Sequence, residues 1–378
     1  MKKKYLLGAL SVFLLASCSN DEVTEINQGE AIQFTASAGK AARSVITTTA
    51  SINNFKVWAY TGDQTYMDGV EVTKTGDNWS YGNLKYWPQE AAVDFYSVNP
   101  TTYTVDADKK IVDFAVADEV ANQIDLLYAA NIGETKAAHK NTPVAVNFRH
   151  ALSQIVFKAK VKEGSNLKVK IDGVRIAQLE WKGTLTYPTA TTAADAADVA
   201  NTWGTWANTR TAEENKKFYA AGITSQTITA GQTVALTTEN SGELLLMPQT
   251  LSPWTVGTDN TENKSYFLVD CQIWDGDVQL WPVENTTAEV AIPVSEITWA
   301  QGKKYIYTFI FGEGGGYVPP TDPDDPTPDP DSPKPDPDKP QPGDPDKPQP
   351  GDPVLVGINF TVTVDDFVLG NEIDVNMK

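Results

Sequence analysis

Alternation with a period of two dominates the hydrophobic pattern of this chain, and no long segment keeps a helical period. In Phe55-Lys56-Val57-Trp58-Ala59-Tyr60, the residues Phe55, Val57 and Ala59 fall on one face of a strand. Ile155, Phe157, Ala159 and Val161 alternate with Lys158, Lys160 and Lys162, the pattern of a half-buried strand in an antiparallel sheet. Similar runs predict strands at 31–36, 144–148, 167–176, 242–247, 265–274 and 303–311. Turn clusters at Thr61-Gly62-Asp63, Thr75-Gly76-Asp77-Asn78 and Trp274-Asp275-Gly276-Asp277 punctuate them. The Ala/Thr/Asp/Asn-rich stretch 189–215 reads as a long loop with room for one helical turn. Many short strands separated in this way predict an all-β fold of sandwich type, and 378 residues suffice for two cores.

Both ends of the chain depart from that pattern. Lys2, Lys3 and Lys4, a short apolar run over 5–15 and Leu15-Ala16-Ser17-Cys18 make up a bacterial lipoprotein signal. The apolar run is too short to stay as a membrane-spanning helix. Cleavage would make Cys18 the first residue and the site of lipidation, and several acyl chains on one cysteine hold stably. The competing reading is an ordinary secretory signal with a chance cysteine; the polar tether Ser19-Asn20-Asp21-Glu22 favours the lipoprotein.

Near the other end, residues 319–353 are almost wholly Pro, Asp, Lys, Gly and Gln, closing with the octad Asp338 to Pro345 repeated as Asp346 to Pro353. Proline removes ladder donors and the aspartates repel one another, which predicts an extended, solvated spacer. A weak calcium site is the alternative, since nothing fixes those aspartates in a cage. Beyond the spacer, Ile358, Phe360, Val362 and Val364 alternate with Asn359, Thr361, Thr363 and Asp365. One such strand cannot fold alone, so it is expected to dock as an edge strand, most simply beside 303–311. Closing a loop of about 35 residues costs only about 3 kcal/mol plus a constant, which docking within the chain can absorb.

Charge and chemistry narrow the function. The formal net charge is −19, and losing Lys2, Lys3 and Lys4 with the signal takes it to −22. That excludes nucleic acid or anionic lipid as an electrostatic partner. With Cys18 committed to lipid, Cys271 has no intrachain disulfide partner. Only two histidines occur, which excludes a His-rich metal site, and His150 at the head of a strand suits capping or pairing. Asp275 and Asp277 flank a glycine as hairpin residues do, and no phosphate loop or Cys/His cluster appears. Nothing here argues for an enzyme, a metal or a cofactor. Trp203, Trp206, Trp274 and Trp281, if exposed, would offer stacking platforms for a glycan, which is the alternative function. Arg43, followed by Ser44 in a run of small residues, fits an ordinary loop arginine as well as a site for a trypsin-like maturation protease.

Several stretches carry a resemblance. Val146-Asn147-Phe148-Arg149-His150-Ala151-Leu152-Ser153-Gln154-Ile155 resembles the His-Ala-Leu-Ser strand entry of the fimbrillin family, the subunits of lipoprotein-derived type V pili of anaerobic Gram-negative bacteria. Phe55 to Tyr60, Lys85-Tyr86-Trp87-Pro88, Leu246-Met247-Pro248-Gln249 and Gly302-Lys303-Lys304-Tyr305-Ile306-Tyr307 resemble other pieces of it. The resemblance implies two tandem transthyretin-like, Greek-key β-sandwiches, over 30–163 and 164–316. The signal (1–18) precedes them; the spacer (317–353) and a docking strand segment (354–378) follow. It also implies an outer-membrane lipoprotein, exposed at the cell surface or within a fimbrium. Its partners would be other pilin-like subunits, including further copies of this chain, and the membrane through the lipid anchor. Cleavage after an arginine, matched here by Arg43 and Ser44, would remove a first strand and open a groove that a neighbour's strand fills. Ile358, Phe360, Val362 and Val364 match the terminal strand. The spacer departs from the family pattern and favours a tip, accessory or non-polymerising role over a standard stalk subunit.

Overall fold

The computed structural model describes residues 30–38, 51–192, 202–209, 217–220, 223, 225–237, 242–258, 260, 264–282, 288–313, 316–320, 351–352, 354 and 358–366. Strands dominate them, with one short 3-10 turn at Val120–Asn122. The first sheet contains β1 (Phe34–Ala38), β2 (Asn54–Thr61), β3 (Gln64–Thr75), β4 (Asn78–Ser80), β5 (Val93–Asn99), β7 (Leu127–Glu134) and β8 (Val144–His150). Their spatial order is β1-β8-β7-β5-β2-β3-β4. β6 (Lys110–Ala115) pairs instead with β11 (Lys182–Thr186), which also pairs with β12 (Thr205–Thr209).

Two further sheets follow. One holds β10 (Leu167–Ala177), β13 (Lys217–Tyr219), β14 (Gln226–Thr229), β17 (Tyr266–Asp275), β18 (Val278–Trp281) and β19 (Ala288–Pro293). The other holds β9 (Ser153–Val161), β15 (Thr233–Ala235), β16 (Leu244–Leu246), β20 (Lys303–Phe311) and β21 (Ile358–Asp366). The odd residues Phe267, Val269, Cys271 and Ile273 of β17 meet Ile155, Phe157, Ala159 and Val161 of β9 in one core, so these two sheets face each other as a sandwich.

The central strands β2, β5 and β7 of the first sheet are buried on both sides. Phe55, Val57 and Ala59 of β2 share a core with Phe95, Leu127, Ala129 and Phe148. Trp58 and Tyr60 point the other way, into the main core with Tyr96, Val98 and Tyr128. There Tyr187 meets Tyr96 edge-on at 5.4 Å and Tyr128 at 5.7 Å, and its hydroxyl donates to Ser97 O at 2.8 Å. Hydrogen bonding satisfies the one polar atom of a ring that is otherwise an apolar plug.

Three expectations change. A boundary at 163 would put β9 with the first sheet, yet β9 ladders only with β15, β16 and β20. The reason is the two-residue step Ala151-Leu152, which carries the chain out of one sheet and into another instead of turning it back as a hairpin. The stretch 189–215 is not all loop, because Trp206 packs on the main core and its indole N–H donates to Ala151 O at 2.8 Å, which fixes β12. The tail strand does not bury all four apolar side chains: Val362 is buried and Phe360 partly so, but Val364 is 40% exposed. It lies toward the end of the strand, opposite Tyr305. The side chain of Ile358 lies outside the described residues.

Candidate strand-exchange sites

The first site is the seat of β1. β1 runs parallel to β8 with Phe34 opposite Val144 and Ala38 opposite Phe148. Val144 N–H donates to Gln33 O at 2.7 Å, and the Ser37 hydroxyl donates to Asn147 Oδ1 at 2.7 Å. Alternation puts Ile32, Phe34 and Ala38 inside the first core. The Phe34 ring lies 5.5 Å from Phe95, 6.1 Å from Phe55 and 5.7 Å from Tyr81. On its other side this segment meets residues 81–87: Ile32 N–H donates to Lys85 O at 2.8 Å, Trp87 N–H to Glu30 O at 3.0 Å and the Tyr81 hydroxyl to Ile32 O at 2.8 Å. The segment 30–38 thus fills a slot with walls on both sides. Burying Ile32 and Phe34 contributes about 3–6 kcal/mol, at about 1.5–3 kcal/mol each. Arg43 and Ser44 lie outside the described residues, as does Cys18.

The second site is the C-terminal strand. β21 pairs antiparallel with β20 over nine positions, from Lys303 opposite Asp366 to Phe311 opposite Ile358. The Phe360 ring lies 5.4 Å from Phe267 and 5.8 Å from Tyr307, so it joins the aromatic layer that Phe157 and Phe309 also build. Phe267 belongs to the facing sheet, and Phe360 therefore bridges both layers of the sandwich.

Between these sites the chain turns a corner at His150-Ala151-Leu152-Ser153. His150 Nδ1 lies 2.9 Å and 3.0 Å from the two carboxylate oxygens of Asp125, and both side chains are buried. Ala151 N–H donates to Leu126 O at 2.8 Å and Gly302 N–H to Leu152 O at 2.9 Å. The Ser153 hydroxyl donates to Ala300 O at 2.9 Å. The motif therefore acts as a joint between sheets. Asp125 escaped sequence reasoning because a partner 25 residues upstream leaves no local signal.

The tryptophans are not open platforms. Trp203 lies under the Arg149 guanidinium at 4.1 Å, and Trp274 lies 5.1 Å from the Lys168 ammonium. Trp206 and Trp281 are half-buried and pack on the main core. Asp275 and Asp277 flank the β17–β18 turn, where Gly276 takes a φ of 59°. Among the described residues no group of three His, Cys, Asp or Glu gathers as a metal site, and no helix is long and apolar enough to cross a membrane. Cys271 is a buried free thiol, and burial pushes its pKa well up.

The arrangement is that of an all-β scaffold whose distinctive places are strand ladders. The chain belongs to the Fimbrillin-like family, which it matches over residues 42–319. That match starts between β1 and Arg43 and stops where the Pro/Asp-rich segment begins. The chain is 26% identical over 216 residues to the fimbrium subunit Fim1C of Phocaeicola vulgatus, covering 47% of this chain and 57% of that protein. It thus spans little more than half the length of that relative. The crystal structure of a fimbrial protein from Bacteroides vulgatus aligns with 75% of this chain and 95% of its own, at 18% identity and a TM-score of 0.48.

Proposed function

We propose that this chain is a non-enzymatic subunit of a surface pilus or adhesive fibre, joined to other pilin-like subunits by exchange of β-strands. One observation carries the reading. β1 sits just before Arg43, is laddered to β8, and fills a slot whose apolar floor would face water without it. A cut at Arg43 would turn β1 into a separate peptide, held only by its ladder and its few buried side chains. A strand supplied by a neighbour, alternating apolar residues in the same way, could take its place. The lipobox ending at Cys18 supplies the anchor that would hold the subunit to the outer membrane before assembly.

Mild arginine-specific proteolysis of the mature protein tests the reading. The expected product begins at Ser44, has lost β1, and runs as SDS-resistant oligomers. A cut chain that stays monomeric at high concentration would reject strand exchange. For the anchor, Cys18→Ala is expected to move the protein into the soluble fraction, and undiminished membrane association would reject lipidation there.

A further inference from the structure

A groove runs along the outer edge of β3. β4 covers that edge only at Thr73 to Thr75, and among the described residues nothing ladders onto Thr65 to Glu71. The turn 82–85 forms the other wall and encloses a groove of about 510 Å³, a volume suited to a small ligand. Met67 is buried and Tyr66 and Val70 are half-buried, which gives the groove an apolar floor; Asp68, Glu71 and Asn83 are its exposed lining. Both walls are fixed. The Tyr66 hydroxyl donates to Tyr86 O and ties β3 to the residue after Lys85. Lys85 O accepts from Ile32 N–H at 2.8 Å, and the Asn54 amide donates to Glu71 Oε1 at 3.1 Å.

We infer that this groove binds a neutral saccharide. Three other occupants fail on the chemistry of the groove itself. An added strand needs a regular edge, but β3 is bulged twice against β2 between Thr65 and Val70, with Gly69 at a φ of 58°. Bulges of this kind turn an edge away from pairing. A cationic side chain would seek the Tyr66 ring, yet the Lys85 ammonium already lies 5.5 Å from its centroid. An anion would meet Asp68 and Glu71 on a chain of net charge −19. What remains is an uncharged ligand that both gives and takes hydrogen bonds. Carboxylates accept only, an ammonium donates only and an amide does both; a sugar hydroxyl can answer each of them. The C–H faces of a sugar ring suit the floor of Met67, Tyr66 and Val70. The sugar contact thus falls on β3 and not on the tryptophans. The groove is complete within one subunit, so the inference stands beside strand exchange without resting on it, and it gives an adhesive role its class of ligand.

The test measures binding of the uncut, full-length mature protein to immobilised mannan, dextran, galactan and chitohexaose, with polygalacturonate and oligolysine as charged controls. Binding to at least one of the four neutral saccharides is expected. Asp68→Ala and Asn83→Ala, both at exposed positions, should each weaken it at least 10-fold at an unchanged melting temperature. Thr65→Trp should abolish it by filling the groove, and Trp274→Ala should bind as the wild type does. No binding to any of the four, binding confined to the charged controls, undiminished binding in any of the three groove variants, or loss in Trp274→Ala would overturn the inference. Because the subunit is never cut, none of these results bears on strand exchange, which arginine-specific cleavage decides.

Discussion

His150 Nδ1 lies 2.9 Å from Asp125 Oδ1 at the point where the chain passes from β8 to β9, and both side chains are sealed from water. A buried carboxylate that loses its donor keeps the desolvation cost without the bond. His150→Ala is therefore expected to destabilise the protein by about 3 kcal/mol or more. That corresponds to a fall in melting temperature of roughly 6–12 °C for a domain of this scale. Asp125→Asn, which keeps an acceptor, should lose less. An unchanged melting curve for His150→Ala would show the pair to be incidental.

The tail strand predicts a contrast between neighbours of the same parity. Phe360→Ala removes a half-buried ring between Phe267 and Tyr307 and should cost about 2–3 kcal/mol, below the roughly 3–5 kcal/mol typical of an enclosed phenylalanine. Val364→Ala removes an exposed side chain and should stay within about 0.5 kcal/mol. Thermal unfolding with limited proteolysis of the C-terminal segment reads both. Equal effects from the two changes would mean that β21 does not lie as described.

Asp270 gives a dependence on pH. On β17 it stands opposite Gly173 on one side and Glu289 on the other. Burial raises its carboxyl above the ordinary 3.8; Arg175 offsets this in part and Asp172 adds to it. A carboxyl raised on folding contributes stability at low pH that disappears as pH climbs through the raised value. Asp270→Asn has no such loss. The melting temperature of the variant minus that of the wild type should therefore grow between pH 3 and pH 7. A difference that shrinks over that range would mean that attraction to Arg175 outweighs burial.

Local alternation made most individual strands legible, and Lys303–Phe311 forms with the bounds its pattern predicts. Pairing partners far along the chain were not legible. β9 follows β8 after two residues, as a hairpin partner would, and its ladders with β15, β16 and β20 show where it belongs. The backbone hydrogen bonds that join 316–318 to 351–354 were hidden for a related reason. Tyr317 and Val318 border a proline tract and read as its start, because two apolar residues beside prolines carry no period. For the candidate sites, the alternation of Ile32 and Phe34 and of Phe360 and Val362 was visible, but not which cores they enter. Asp125 and the Arg149 cover over Trp203 depend on contacts that no spacing encodes.

Burial on both faces of β2 has a consequence for folding fidelity. In a sheet wet on one side, a slip of one residue drives apolar side chains into water and is rejected on that ground. Here a slipped β2 would stay dry, since Trp58 and Tyr60 would merely trade places with Val57 and Ala59. Discrimination passes from solvent to volume. Gly69, on the neighbouring β3, leaves a gap in which a Cβ would come within 3.0 Å of the Trp58 ring, and no other position of β2 carries an indole to fill it. The fit of the Trp58 ring beside Gly69, where the β2–β3 register shifts, thus favours the native alignment by shape.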